Sequence, residues 1–130
     1  MSQITRRIGR WGEQTAADYL VSKGYRLLER NLHFPVGEID LVAQSPGREQ
    51  DSLVFVEVKT RTSAALGYPE ESFTPAKYRH LQAAIQAYLE THPDQVGEWQ
   101  IDLVAVLGNP DHGTPQISHY PRIVMPDERE

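Results

Sequence analysis

With 130 residues the chain can form one hydrophobic core but not two, and its 39% hydrophobic and 24% charged residues are ordinary for a globular domain. No apolar run approaches the ~20 residues of a membrane-spanning helix, and the net charge of -5 argues against a protein that coats nucleic acid non-specifically. The absence of cysteine excludes disulfides, thiolate metal sites and cysteine nucleophiles, and is compatible with the reducing cytoplasm, where we expect the protein.

The first predicted element is a helix from about Ile8 to Lys23. Its apolar residues recur at spacings of three and four, which is typical of a helix that lies on a sheet, and Gly24 follows as the left-handed residue that ends it. Glu13 lies off the apolar stripe. The first 30 residues carry six basic and three acidic side chains, an excess that fits either phosphate binding or a solvated helix face.

A strand over Tyr25–Phe34 follows, with Asn31 as an irregularity, and a turn at 35–37 leads into a hairpin. The second arm of the hairpin, from Leu53 to Thr60, alternates, because side chains on a strand point to opposite faces in turn. The connector 44–52 carries a Pro-Gly turn signal at 46–47. In this arm we predict that Val54, Val56 and Val58 lie on one face and Phe55, Glu57 and Lys59 on the other. In the first arm we predict that Ile39, Leu41 and Ala43 lie on one face and Glu38, Asp40 and Val42 on the other.

Pairing the two arms predicts that Asp40 lies beside Glu57 and Lys59. A carboxylate midway along a valine-rich strand loses water, and leaving it unpaired costs roughly 2 to 7 kcal/mol even on scales for uncharged polar groups. Lys59 can neutralise one of the two acids, which leaves a net negative pocket. A hard divalent cation is the usual partner of such a pocket, and Mg²⁺ suits it because it takes one or two carboxylates and completes its shell with water and phosphate oxygens.

The second half of the chain predicts a loop, a helix, a strand and a tail. Residues 62–72 show no period, Thr74-Pro75 begins a helix that runs to about Thr91, and Trp99–Leu107 is an internal strand that Asp102 interrupts. From residue 108 onward prolines and glycines predict a loosely ordered tail with one edge strand at Gln116–Val124. We expect a domain at 1–107, a partly ordered tail at 108–130, and disorder in the last four residues.

Asp40 followed by the triplet at 57–59 resembles the active-site signature of the PD-(D/E)XK nuclease superfamily, whose fold is shared by restriction endonucleases and archaeal Holliday-junction resolvases. More closely, the segments GEIDLVA at 37–43 and VFVEVKTR at 54–61 resemble the YraN family of nuclease-like proteins. The resemblance covers about Gly9 to Val106. The chain departs from it at Gln100, where that family usually has arginine, so Asp102 lacks that ion-pair partner and is interpreted as structural.

The resemblance implies an α/β domain of the restriction-endonuclease-like class, with a central mixed β-sheet flanked by helices. It implies metal-dependent hydrolysis of phosphodiester bonds in nucleic acid, DNA in preference to RNA, with Mg²⁺ or Mn²⁺ as cofactor. The residues that match are Asp40, Glu57 and Lys59 for catalysis, and Asp40, Glu57, the backbone carbonyl of Val58 and Glu13 for the metal. Candidate contacts to nucleic acid are Arg10, Arg30, Arg61 and Lys77.

Other interpretations stay open. Glu13 also fits an exposed first-turn glutamate, and the basic residues fit a solvated surface. The same fold could serve a nucleic-acid-binding module without catalysis, or a protein-interaction domain whose charges form a structural cluster. A junction resolvase needs two sites acting together, so the analogy also suggests a homodimer. Zinc is not expected, because the five histidines show no ligand spacing.

Overall fold

The computed structural model describes residues 2–47, 52–95 and 97–125. Within them, the strands form one mixed sheet in the order β1-β2-β3-β4-β5, in which β3 and β4 are parallel and the other neighbours are antiparallel. Neither of the α-helices in these ranges is long and apolar enough to cross a membrane. The elements are α1 (Gln3–Ser22), β1 (Arg26–Phe34), β2 (Gly37–Gln44), β3 (Leu53–Arg61), a 3-10 turn (Pro69–Ser72), α2 (Pro75–Thr91), β4 (Trp99–Asn109) and β5 (His112–Tyr120).

One helix covers each face of the sheet, and this confirms the expected α/β fold with a mixed sheet between helices. The parallel pairing of β3 and β4 requires a crossover, which α2 provides. The α1-side core consists of Ala16, Ala17, Leu20, Leu41, Val54, Val56, Val58, Val104 and Val106. The α2-side core consists of Ile39, Val42, Leu53, Phe55, Phe73, Tyr78, Leu81, Ala84, Ile85, Tyr88, Ile101 and Leu103.

Helix α1 begins at Gln3, five residues before the predicted start at Ile8. The reason is the cap: the Ser2 hydroxyl accepts a hydrogen bond from the Thr5 amide at 3.1 Å. The predicted end is confirmed, because Gly24 has a φ of 93° and follows the last turn as a left-handed C′ residue. The additional N-terminal turn extends α1 past the apolar stripe that marks its contact with the sheet.

Helix α2 begins where the sequence predicts. The Thr74 side chain accepts a hydrogen bond from the Lys77 amide at 3.3 Å, and Pro75 occupies the first helical position, where its missing N–H is not needed. The segment 62–72, predicted as a loop, contains the short 3-10 turn Pro69–Ser72. This turn brings the chain to the N-terminus of α2, next to the end of β3.

The side chains of β2 do not alternate as predicted. Ile39 and Val42 both pack in the α2-side core, whereas Leu41 packs in the α1-side core. The prediction that Ile39 and Leu41 share a face is therefore wrong. The cause lies in β1, where Asn31 has a left-handed φ of 55° at the position that the register places opposite Asp40. Both paired strands exchange their faces at this point, because the alternation of neighbouring strands must match.

The predicted tail contains a strand, but it lies at His112–Tyr120 rather than at Gln116–Val124. A tight turn after β4 explains the shift: Asn109 pairs with His112, and the Asn109 side chain accepts a hydrogen bond from the Asp111 amide at 2.8 Å. Strand β5 therefore pairs with β4 directly and belongs to the same sheet. The last four residues, predicted to be disordered, lie outside the described residues.

Asp102 is fully buried in β4 and accepts three hydrogen bonds. Its donors are the Gln100 side chain at 2.8 Å, His119 Nε2 at 2.7 Å and the Arg122 amide at 3.1 Å. The second ring nitrogen of His119 lies 3.2 Å from the Tyr19 hydroxyl on α1. Gln100 thus supplies a donor where the family usually has arginine, and the network supports the structural interpretation of Asp102.

Replacing Asp102 by alanine is expected to destabilise the fold by about 3 to 5 kcal/mol, because it leaves three partly buried donors without their acceptor. Urea unfolding measures the change. Asp111→Ala is the matched control, since the Asp111 carboxylate pairs with Arg7 at 2.9 Å on the exposed surface and its loss should hardly move the midpoint. Equal midpoints for both variants would contradict the structural role of Asp102.

Candidate active site

The sheet opens between β2 and β3 at Asp40. Backbone pairing of these strands runs from Gln44 and Leu53 to Leu41 and Val56 and ends there. Beyond this point the Asp40 carboxylate acts as the acceptor, since its Oδ2 receives a hydrogen bond from the Val58 amide at 2.8 Å. Hydrogen bonds between strands lie in the plane of the sheet. The Asp40 side chain therefore lies between the two strands rather than on either face.

Glu57 lies beside Asp40 and is largely buried, with 14% of its side chain exposed. Burial raises the pKa of Glu57 well above its ordinary value, and a hydrogen bond with Asp40 and the charge of that residue raise it further. Lys59 lies 3.9 Å from the Glu57 carboxylate and offsets part of this effect. The predicted convergence of Asp40, Glu57 and Lys59 is thus present, with the two acids side by side and the lysine next to Glu57.

Glu13 approaches the same site from α1. Burial raises the pKa of Glu13 to about 7, the charge of Asp40 adds to the increase, and Arg30 opposes it. Its Oε1 atom is buried and has no hydrogen-bond partner among the described residues. Because α1 begins at Gln3, Glu13 does not lie in the first turn, and the alternative of an exposed first-turn glutamate is excluded.

Gly12 determines how close Glu13 comes to the sheet. The Thr60 side chain of β3 occupies the space where a Cβ atom of residue 12 would lie. Only glycine lets α1 pack so closely on this strand. A second close approach occurs at Gly37, whose added Cβ would meet the backbone carbonyl of His80 on α2. The two glycines bring both helices against the opening of the sheet.

The carboxylates lie in a cleft of about 1010 Å³ between the N-terminal halves of the two helices. Four acidic and four basic side chains line it, together with His33 and His80. The acidic ones come mainly from the sheet, and the basic ones come from α1, β3 and α2. The acidic residues are Glu13, Glu38, Asp40 and Glu57, and the basic ones are Arg6, Arg10, Lys59 and Lys77.

The four predicted contacts to nucleic acid divide into two groups. Arg10 and Lys77 line the cleft. Arg30 donates a hydrogen bond to the Gln14 side chain at 3.1 Å, and Arg61 lies near enough to contribute to lowering the pKa of Lys77, but neither lines the cleft. Sequence reasoning missed Arg6, because it placed the helix start after this residue. The Ser2 cap was the signal that could have found it.

Across the ranges that the structure describes, no three His, Asp or Glu side chains lie together as a ready metal-binding group. The site offers a pair of carboxyl groups, Asp40 and Glu57, with Glu13 nearby. Glu38 is exposed and pairs with His33 at 3.0 Å, outside this pair. Two carboxylates with open positions for water and phosphate are the arrangement that Mg²⁺ commonly uses, so the catalytic and metal-binding roles stay predictions that the geometry permits.

The mixed sheet, its two flanking helices and the opening between β2 and β3 define a single α/β domain of the restriction-endonuclease-like class. The chain matches the model of the uncharacterised protein family UPF0102 over residues 12–106. It is 44% identical to a UPF0102 protein of Syntrophomonas wolfei subsp. wolfei, over 89% of this chain and 96% of that protein. It is 42% identical to one of Syntrophotalea carbinolica, over 88% of each. The chain therefore belongs to family UPF0102, the YraN family that its motifs resemble.

Gly12→Ala is expected to destabilise the protein by about 1 to 3 kcal/mol, since the new methyl group collides with a β-branched side chain on a strand. Adding Thr60→Ala to this variant should restore most of the loss. Gly9→Ala is the control: nothing lies within 4 Å of its added Cβ, so the better helix propensity of alanine should stabilise it by up to about 1 kcal/mol. Equal effects at both glycines, measured by urea unfolding, would contradict the close approach.

The stability of the metal-free protein is expected to fall as the pH rises from 5 to 8. The pKa of Glu13, about 7, lies above its ordinary value of 4.5, so the folded state binds this proton more tightly than the unfolded state. The contribution is complete below pH 4.5 and is lost as the pH rises through 7. Glu13→Gln should therefore show a smaller fall in melting temperature than the wild type, while Glu90→Gln, on the exposed surface of α2, should match it. Identical pH profiles for all three proteins would refute the assignment.

Proposed function

We propose that the protein is a metal-dependent endonuclease that hydrolyses phosphodiester bonds in nucleic acid, DNA in preference to RNA. The observation that carries the proposal is the pairing of Asp40 and Glu57 in the opening of the sheet, with Lys59 3.9 Å from Glu57. A structural role alone does not account for Glu57, a largely buried acid whose pKa is raised by burial and by the neighbouring Asp40. The surrounding cleft carries basic side chains on both helices, as a phosphate backbone requires.

The residues present fit a divalent cation. The carboxyl groups of Asp40 and Glu57 lie side by side, and the charge of Asp40 contributes to raising the pKa of Glu57, so a cation at this position would relieve the repulsion between the two acids. Glu13 contributes a buried oxygen that has no hydrogen-bond partner in the described part of the chain. In a strand the N–H and C=O of one residue point to the same edge, so the Val58 carbonyl faces the same gap as the amide that binds Asp40. Asp40, Glu57, the Val58 carbonyl and Glu13 would hold Mg²⁺ or Mn²⁺.

A bound Mg²⁺ would supply Lewis acidity, which stabilises charge on the phosphoryl group and lowers the pKa of the attacking water. The chain's own residues do the rest. Arg10 on α1 and Lys77 on α2 line the cleft and hold the phosphate backbone. Arg30 and Arg61, which lie outside the cleft lining, extend the positive surface. Lys59 orients the water and neutralises charge that develops on the phosphoryl oxygens. The water oxygen bonds to phosphorus as the bond to the 3′-oxygen breaks, which leaves a 5′-phosphate and a 3′-hydroxyl.

A nucleic-acid-binding module without catalysis is the second candidate. The observation in its favour is that no three potential ligands are already assembled in the described part of the chain. The two candidates differ in metal-dependent product, not in affinity for nucleic acid.

A homodimer, which would place two sites on one branched substrate, belongs to the endonuclease proposal and is tested by the molar mass of the protein in the presence and absence of DNA.

The function is tested by incubating the protein with labelled single-stranded DNA, duplex DNA, a four-way junction and RNA, with Mg²⁺, Mn²⁺ or chelator. We expect cleavage with either metal, none with chelator, and products that carry 5′-phosphate. Glu57→Gln should fold and lose at least about 10²-fold in rate, the loss typical when a group that stabilises transition-state charge is removed. Glu90→Gln should cleave at the wild-type rate.

Calorimetric titration of Mn²⁺ adds a measurement that does not depend on the substrate. The wild type should bind the ion, and Asp40→Asn should bind it much more weakly. Full cleavage by Glu57→Gln would overturn the catalytic assignment. Nucleic-acid binding without cleavage by the wild type, with equal Mn²⁺ titrations for both proteins, would leave the non-catalytic module instead.

A further inference from the structure

The N-terminal part of α1 projects beyond the sheet. Residues 2–7 are exposed, and the buried residues of the helix begin only at Gly12. Arg7 anchors the projecting part, because its guanidinium donates two hydrogen bonds, at 3.1 and 2.9 Å, to the Asp111 carboxylate in the turn between β4 and β5. A forked contact of this kind fixes an orientation. In that orientation a neighbouring side of the helix faces the cleft, with Arg6 and Arg10 on it.

The side of α1 that lines the cleft includes Arg6, Gly9, Arg10 and Glu13, which we call the cleft face of α1. These residues are spaced by three and four, so they lie in one row along the helix. None of the ion pairs among the described residues includes Arg6 or Arg10. The cleft face therefore presents two unpaired guanidinium groups one turn apart, with a residue that has no side chain beside them.

Helix α1 contains two glycines, and the fold accounts for only one of them. At Gly12 an added Cβ would collide with the Thr60 side chain, whereas at Gly9 none of the described residues has an atom within 4 Å of an added Cβ. Glycine inside a helix is less favourable than alanine, and Gly9 lies past the first turn of α1. Packing and stability would both accept alanine there. What glycine provides at this position is an uncovered stretch of helix backbone that a chain from outside the fold can approach closely.

The neighbours of Gly9 indicate the chemistry of such a chain. Planar guanidinium groups form forked hydrogen bonds with phosphate, and two of them one turn apart suit a ligand that carries phosphates in succession. Glu13 lies four residues beyond Gly9 on the cleft face, about 6 Å along the helix axis. This distance is less than the axial rise of two nucleotides, about 3.4 Å each in one strand of DNA. A strand that follows the cleft face therefore reaches the carboxylates within two nucleotides of Gly9.

We infer that the cleft face of α1 binds the sugar–phosphate backbone of one nucleic-acid strand, with Arg6 and Arg10 on phosphates and Gly9 in direct contact with the strand. The inference rests on the proposed function and deepens it, because it names the surface that guides the strand to the carboxylates. Gly9 is a positioning residue in this arrangement. Its missing side chain sets how closely the strand approaches α1, and the chain accepts a less stable helix in exchange for that contact.

The first test measures the binding of a labelled duplex DNA to the metal-free protein by fluorescence anisotropy. Gly9→Ala should melt at a higher temperature than the wild type and yet bind DNA more weakly, and Gly9→Gln should lose about tenfold or more in affinity, as expected when bulk is forced into a close contact. Ser22→Gln adds the same side chain to the exposed far end of α1 and should bind as the wild type does. Unchanged affinity of Gly9→Gln, or absence of DNA binding by the wild type, would overturn the inference.

The salt dependence of binding separates a contact at Gly9 from a distorted helix. Arg6→Gln and Arg10→Gln should each reduce the slope of log K against log salt concentration by about 0.9, the value for one lost phosphate contact. Gly9→Ala removes no charge, so its affinity should fall with the slope unchanged. Arg26→Gln, at the exposed start of β1 outside the cleft lining, should keep both affinity and slope. A Gly9→Ala variant whose slope and melting temperature both fall would show a structural role of Gly9 instead and overturn the inference.

An acidic protein segment is the other polyanion that two arginines could bind, so oligoglutamate with the same number of charges serves as competitor. It should displace DNA only weakly, and its own binding should not depend on Gly9. Oligoglutamate that binds as tightly as DNA and is equally weakened by Gly9→Gln would overturn the assignment to nucleic acid. None of these measurements needs metal or cleavage. An inactive protein whose DNA binding depends on Gly9 would refute the endonuclease proposal alone, and an active one whose binding ignores Gly9 would refute the site on α1 alone.

Discussion

The hydrogen bond from the Val58 amide to the Asp40 carboxylate is the interaction on which the candidate site depends. Without it, a buried backbone donor in the middle of the sheet would have no partner, which costs about 1 to 3 kcal/mol. A side chain takes the place of the next backbone acceptor, so β2 and β3 separate without leaving that donor unsatisfied. The gap that results holds Asp40 in the plane of the sheet and places Glu57 beside it. Because the Asp40 carboxylate replaces a backbone carbonyl as the acceptor for Val58, it both separates β2 from β3 and places negative charge in the gap between them.

The chain uses the same contact at Asp102, with the opposite outcome. There too a buried carboxylate accepts a hydrogen bond from a backbone amide, that of Arg122, but Gln100 and His119 supply the remaining donors. Asp102 is therefore satisfied by the protein alone and fastens β5 to the sheet. The partner of Asp40 is another acid. The Asp102 carboxylate has its full set of hydrogen-bond donors and contributes to stability. The Asp40 carboxylate faces a second carboxyl group, that of Glu57, instead of a comparable set of donors.

Much of the fold and part of the site follow from the sequence, because they depend on local signals. The alternation of β3, the caps of α2 and the left-handed Gly24 each act within a few residues, and the structure has them as predicted. The exchange of faces in β2 was not predictable from its own pattern, because its cause, Asn31, lies on the neighbouring strand. Ser2 signals the early start of α1 as a capping residue. The prediction followed the apolar stripe instead, and the stripe begins only where the helix contacts the sheet.

The overall charge of -5 is compatible with the proposed binding of a phosphate backbone in the cleft, because net charge averages over surfaces that do not meet the same ligand. The cleft lining has equal numbers of acidic and basic side chains, and Glu13 and Glu57 have raised pKa values that reduce their negative charge when no cation is present. These raised pKa values reduce the repulsion between the acids of the site and an approaching phosphate when no cation is bound.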